Sequence, residues 1–168
     1  MRSRSSLPWP EGEPVIRSAI VHDPIDAGRV LEDVGAPCDG AALLFVGMVR
    51  DHADGRSVDG MSYEAYEEMA DPVLRDIASE AAERIASDRI SVVHRVGDLA
   101  IGEVSVAIAV SSPHRSEAYE ASRYVIEEIK KRLPVWKKER YTDGRSEWVA
   151  GETPGPDPVG AAGGKGAP

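Results

Sequence analysis

One cysteine, Cys38, in 168 residues excludes an internal disulfide and fits a reducing, cytoplasmic setting. In the loop GAPCDG it reads as a small apolar bystander. Phenylalanine occurs once and aromatics make up 5%, so Val, Ile, Leu and Ala must fill the core and base-stacking platforms are scarce. No apolar run approaches the roughly 20 residues that span a bilayer, so no membrane association is expected. The opening MRSRSSLPWPEGEP has two arginines with no apolar stretch behind them, unlike a secretory signal. Four histidines (His22, His52, His94, His114) are scattered, and no Cys/His spacing matches a zinc site. Gly-rich phosphate loops are missing, and Ser111-Ser112 lacks the surroundings of a nucleophile elbow. Neither a metal nor an organic cofactor is expected.

What is present is enough chain for one domain, with an ordinary 42% of hydrophobic residues. A net charge of -9 argues against a general nucleic-acid binder. The charge is unevenly spread. Lys130, Lys131, Arg132, Lys137, Lys138 and Arg140 face a single anion, Glu139, within eleven residues, a local +5 that leaves -14 on the remainder. Charge alone leaves two readings open: a solvated helix end whose cations complement the dipole, or a local anion site.

Residues 1–14 read as a loose arm and 151–168, GETPGPDPVGAAGGKGAP, as a disordered Gly/Pro-rich tail, with one domain over 15–150 between them. Strands are expected at 15–22, at the nearly all-apolar 41–49 (buried), and at 58–66, the last returning from a hairpin after a polar loop with an Asp-Gly turn signal. Asp26 caps a short helix. Asp71-Pro72 and Ser112-Pro113 each read as a cap followed by a first-turn proline. They open amphipathic helices carrying Val73, Ile77, Ala81 and Ile85, and Ala118, Ala121, Val125, Ile129 and Leu133. Pro134 ends the second. β-branched runs at 90–96 and 103–111, joined by GDLAIG, form a hairpin, and short strands at 135–141 and 146–150 flank Thr142-Asp143-Gly144. Strands grouped in hairpins between separate helices predict an α+β fold with antiparallel or mixed sheets.

Three segments carry candidate chemistry. Arg50 ends the apolar strand, where chain leaving a core often carries function. His114 and Arg115 sit at a helix start, where they oppose the dipole unless an anion binds between them. Lys130 ends that helix, and Trp136, read as core packing, would steady Lys137.

The segments FVGMVRDH, YEAYEEMA, VVHRVGDLAIGE, SSPHRSEAY, IKKRLPVWKKE and DGRSEWV resemble, in order and spacing over residues 40–149, the signature segments of the molybdopterin synthase large, catalytic subunit. The resemblance implies a hammerhead-type α+β fold, a homodimer, and a heterotetramer with two copies of a small ubiquitin-like sulfur carrier bearing a C-terminal thiocarboxylate. It implies sulfur transfer to cyclic pyranopterin monophosphate to form the dithiolene of molybdopterin. By position in the matching motifs, Lys130 and Lys137 would be catalytic. Arg50, His114 and Arg115 would bind substrate, and Met48, Val49, Lys138 and Glu139 would line the pocket. Phosphate and thiocarboxylate are both anionic, so a cluster of Arg, His and Lys suits them. The alternatives are a polyanion-binding module, which the acidic, aromatic-poor composition opposes, and a non-catalytic scaffold. Gly163-Gly164 in the tail is followed by KGAP, so it is not a carrier terminus.

One geometric expectation follows. Sixteen residues separate His114 from Lys130, about 24 Å along a helix. One small substrate cannot touch both ends, so a shared site would draw one end from a second copy of the chain.

Overall fold

The computed structural model describes residues 14–149; the arm over 1–13 and the tail from 150 lie outside the described residues. The first sheet takes β1 (Val15–Val21), β5 (Arg89–Arg95), β7 (Val104–Ser112) and β2 (Ala41–Met48), in that order. β1 runs parallel to β5; the other two pairings are antiparallel. Alternation along β7 explains its unbroken apolar run. Val106, Ile108 and Val110 face α2 (Glu67–Ile85) and α3 (Arg115–Arg132), while Ala107 and Ala109 face α1 (Ala27–Glu32). The main core fills the first of these interfaces, with Leu74, Ile77 and Val125 fully enclosed.

The second sheet is built on β4 (Arg56–Ala65). β8 (Val135–Tyr141) pairs with β4 and carries β9 (Ser146–Val149). The two-residue β3 (His52–Ala53) and β6 (Gly97–Ala100) also pair with β4. The β3–β4 turn is Asp54-Gly55, both at positive φ, as a tight hairpin requires. The architecture is α+β, as the element pattern predicts. Among the described residues no helix is long and apolar enough to cross a membrane.

Several local expectations need correction. Residues 41–48 do form a strand, but an edge strand that is only half-buried: it pairs with β7 alone and exposes Phe45 and Met48. The second helix begins at Glu67, so Pro72 falls inside it and Asp71 does not cap it. Burial of Ala70 against the sheet extends the helix back past the proline, and Asp71 instead accepts a hydrogen bond from the Ile20 N–H at 3.3 Å. Ser112 is not the cap of α3 either. That position is His114, in extended conformation, and the Ser112 hydroxyl donates to its carbonyl at 2.7 Å. The GDLAIG connection is more than a hairpin loop. Positive-φ glycines at 97 and 102 bracket β6, which leaves the first sheet to pair with the second.

Candidate active site

A cavity of about 450 Å³ lies where the end of β2, the middle of β4, the last turn of α3 and β8 meet. It draws Met48, Val49 and Arg50 from the end of β2, Lys130 from α3, and Lys137 and Glu139 from β8. Six of the nine residues expected at the site thus share one hollow. Arg50 is aimed by backbone. A register shift between Gly47 and Met48 releases the strand from β7. Val49 is then clamped, its N–H donating to the Glu103 carbonyl at 3.1 Å and its carbonyl accepting from Gly102 at 2.8 Å. Gly47 permits the close packing beneath, since a Cβ there would stand 2.7 Å from Val106 Cγ1.

The cationic segment separates into distinct roles. Lys131 is paired with Glu128 at 3.0 Å, and Arg132 forks onto Glu80 of the neighbouring α2 at 2.6 and 3.0 Å. Arg140 is held by Asp98 at 2.9 Å. Lys138 does not line the cavity. Strand alternation turns it away from Lys137, and its ammonium sits 5.5 Å from the centre of the Trp148 ring. Lys130 and Lys137 are the members that reach the hollow. Trp136 is not core packing: it stands at the rim, 54% exposed. Glu139 is buried, and its Oε2 accepts the Tyr141 hydroxyl at 2.8 Å. The charge run thus divides between cations paired with carboxylates and two lysines that line the cavity.

His114 and Arg115 are not brought to this cavity; they lie at the opposite end of α3. Just before them in the chain, the Ser111 hydroxyl donates to the Asp39 carboxylate, which lies 3.8 Å from Arg89 Nε.

The cavity floor holds residues that the sequence reading passed over. His94 is 6% exposed, and its ring meets Tyr63 edge-on with centroids 5.6 Å apart. Burial drives its pKa down to about 4, so the imidazole is neutral at physiological pH. Burial likewise raises the Tyr63 pKa, against a hydrogen bond with Ser105. The Ser105 hydroxyl lies 3.2 Å from the Gly47 carbonyl. The available signal was the histidine inside VVHRVGDLAIGE, an apolar strand where a titratable group needs a reason to be buried. Among the described residues no group of three or more His, Cys, Asp or Glu is placed to hold a metal.

The model of the MoaE protein family matches residues 20–132. The chain belongs to the MoaE family. A molybdopterin synthase catalytic subunit from Halalkalibacterium halodurans is 45% identical over 133 residues, 79% of this chain and 85% of that protein. The Bacillus subtilis catalytic subunit is 42% identical over 133 residues, 79% and 84% of the two chains. Molybdopterin synthase from Staphylococcus aureus superposes with a TM-score of 0.74 at 42% identity, covering 78% of this chain and 95% of that one. This MoaE-family chain is therefore an enzyme subunit of molybdenum-cofactor biosynthesis, with the activity of a molybdopterin synthase catalytic subunit.

Proposed function

We propose that the cavity is where a carrier thiocarboxylate delivers sulfur to cyclic pyranopterin monophosphate, with Lys130 and Lys137 as the catalytic groups. The observation that carries the reading is the convergence of Arg50, Lys130 and Lys137 on one hollow. Guanidinium and ammonium groups suit a phosphate, and oriented cations stabilise oxyanions that form as sulfur attacks. The thiocarboxylate sulfur is the nucleophile, so the enzyme needs no cysteine of its own. A new carbon–sulfur bond to the pterin leaves the carrier attached as a thioester. Water then cleaves the acyl–sulfur bond and releases the carrier as a carboxylate, so two carriers supply the two sulfurs of the dithiolene. A lysine ammonium can donate the proton that a departing substrate oxygen requires.

The partner is a small ubiquitin-like carrier, and the relatives' description as catalytic subunits supports a second kind of chain in the enzyme. His114 and Arg115 enter the site from a second copy of this chain, making a homodimer with two carriers bound. The assay is direct: mix the protein with thiocarboxylated carrier and the cyclic pterin and follow dithiolene product. Absence of product with authentic carrier overturns the reading.

A further inference from the structure

His94 stands apart from the rest of the site. The cavity's cations are hydrogen-bond donors only, yet a pterin ring also presents N–H and NH₂ donors that must find acceptors when desolvated. The His94 Nδ1 lies 3.0 Å from the Arg95 carbonyl, which places the ring proton on Nδ1 and leaves a lone pair on Nε2. Edge-on contact with Tyr63 holds the ring plane. Nε2 makes no hydrogen bond with any described residue. The one fully enclosed side-chain nitrogen or oxygen without a partner, among the described residues, is Arg89 Nη1. Nε2 is thus not sealed away, and the surface it can reach is the cavity that His94 lines.

We propose that His94 orients the substrate, its Nε2 accepting a hydrogen bond from an N–H or NH₂ group of the heterocycle while Arg50 and the lysines hold the phosphate. This rests on the substrate reading given above. It assigns the two ends of the molecule to two regions of the cavity, ring to the floor and phosphate to the cationic wall. Sulfur then meets the carbon between them. Glu139 and Ser105 are also buried and line the cavity, but one Glu139 oxygen already takes the Tyr141 hydroxyl and the Ser105 hydroxyl is engaged with the Gly47 carbonyl.

Two variants separate recognition from packing. His94→Asn keeps an amide donor near the Nδ1 position and has no atom at Nε2. His94→Gln can reach the Nε2 position with its amide oxygen. Binding of the cyclic pterin is measured by calorimetry without carrier, then KM and kcat with thiocarboxylated carrier. His94→Asn should weaken Kd and raise KM about 10-fold with a smaller change in kcat, the scale of one lost buried hydrogen bond. His94→Gln should stay within about 3-fold of wild type, and carrier affinity should not move in either. Unchanged pterin affinity in His94→Asn, or equal damage in both variants, overturns the proposal. If His94→Asn does not fold, the wild-type protein decides through ¹⁵N NMR. The Nε2 resonance of His94 should move upfield on saturation with the pterin as its lone pair accepts a bond, and an unmoved resonance overturns the proposal. Wild-type protein that neither binds the pterin nor forms dithiolene brings down the functional reading itself, whereas normal turnover with a silent His94 brings down this assignment alone.

Discussion

Pairing two inactive variants tests how the site is assembled. One carries His114→Ala and Arg115→Ala; the other carries Lys130→Ala and Lys137→Ala. Helix α3 spans 18 residues, so at about 1.5 Å per residue its ends stand some 27 Å apart, with His114 about 24 Å from Lys130. The cavity that Lys130 lines takes in neither His114 nor Arg115. Side chains at both ends therefore cannot meet one substrate within a single chain. A two-fold axis that sets the start of one α3 beside the end of its mate makes two equivalent composite sites. Each parent variant damages both of its sites and should fall below about 1% of wild-type activity, since each oriented charge contributes roughly 10²- to 10³-fold. In a mixed dimer one site collects every substitution and the other collects none. Random re-pairing makes half the dimers mixed, so activity should return to about one quarter of wild type, and to about one half in purified heterodimers. The assay is dithiolene formation with differently tagged chains, refolded or co-expressed together, with mixed dimers isolated through both tags. Isolated heterodimers with no recovered activity would refute the shared site.

Lys137→Ala should slow sulfur transfer at least about 100-fold, whereas Lys131→Ala, whose ammonium already pairs with Glu128 outside the cavity, should stay within about 2-fold in the same assay. Lys138→Ala should resemble Lys131→Ala in single-turnover chemistry, because Lys138 sits over Trp148 and away from the hollow; a loss equal to that of Lys137→Ala would contradict the strand's alternation. Leu74→Ala, at a fully enclosed position, should lower unfolding free energy by about 3 kcal/mol in denaturant titrations. His94 supplies a pH signature: its folded pKa, about 4, lies below the ordinary 6.5, so as pH falls through 6.5 the unfolded chain takes up a proton that the folded chain refuses. Stability should drop by about 3 kcal/mol from this group between neutral pH and pH 4, and His94→Gln should lack that component when denaturation midpoints are compared across pH.

Local information settled most of the elements. Apolar runs, turn signals and the Pro134 stop place α3 and its inward face at Ala118, Ala121, Val125 and Ile129, because a 3.6-residue period survives in any context. The Asp54-Gly55 turn and the pairing of 90–95 with 104–112 were legible from turn signals and β-branched runs, but the strand that returns from that turn pairs with the two-residue β3 and not with β2, which lies in the other sheet. The motifs also named Arg50, Lys130, Lys137 and Glu139, since residue type and spacing are properties of the chain itself. What no local pattern contains is which faces meet. Pro72 looks like a helix start until Ala70 finds a sheet to bury against, and 41–48 looks buried until it becomes the last strand of its sheet. The six cations of 130–140 are alike in sequence. Pairing with Glu80, Glu128 and Asp98, which are distant in the chain or on another helical face, sorts three of them away from the cavity. His94 was invisible as a cavity residue because its surroundings come from other strands: Tyr63 from β4 beside it, and Ser105 from β7 on the same floor. Burial, and with it the neutral imidazole, is created only when the two sheets close over one another, because desolvation is a property of the enclosing volume and not of the residue.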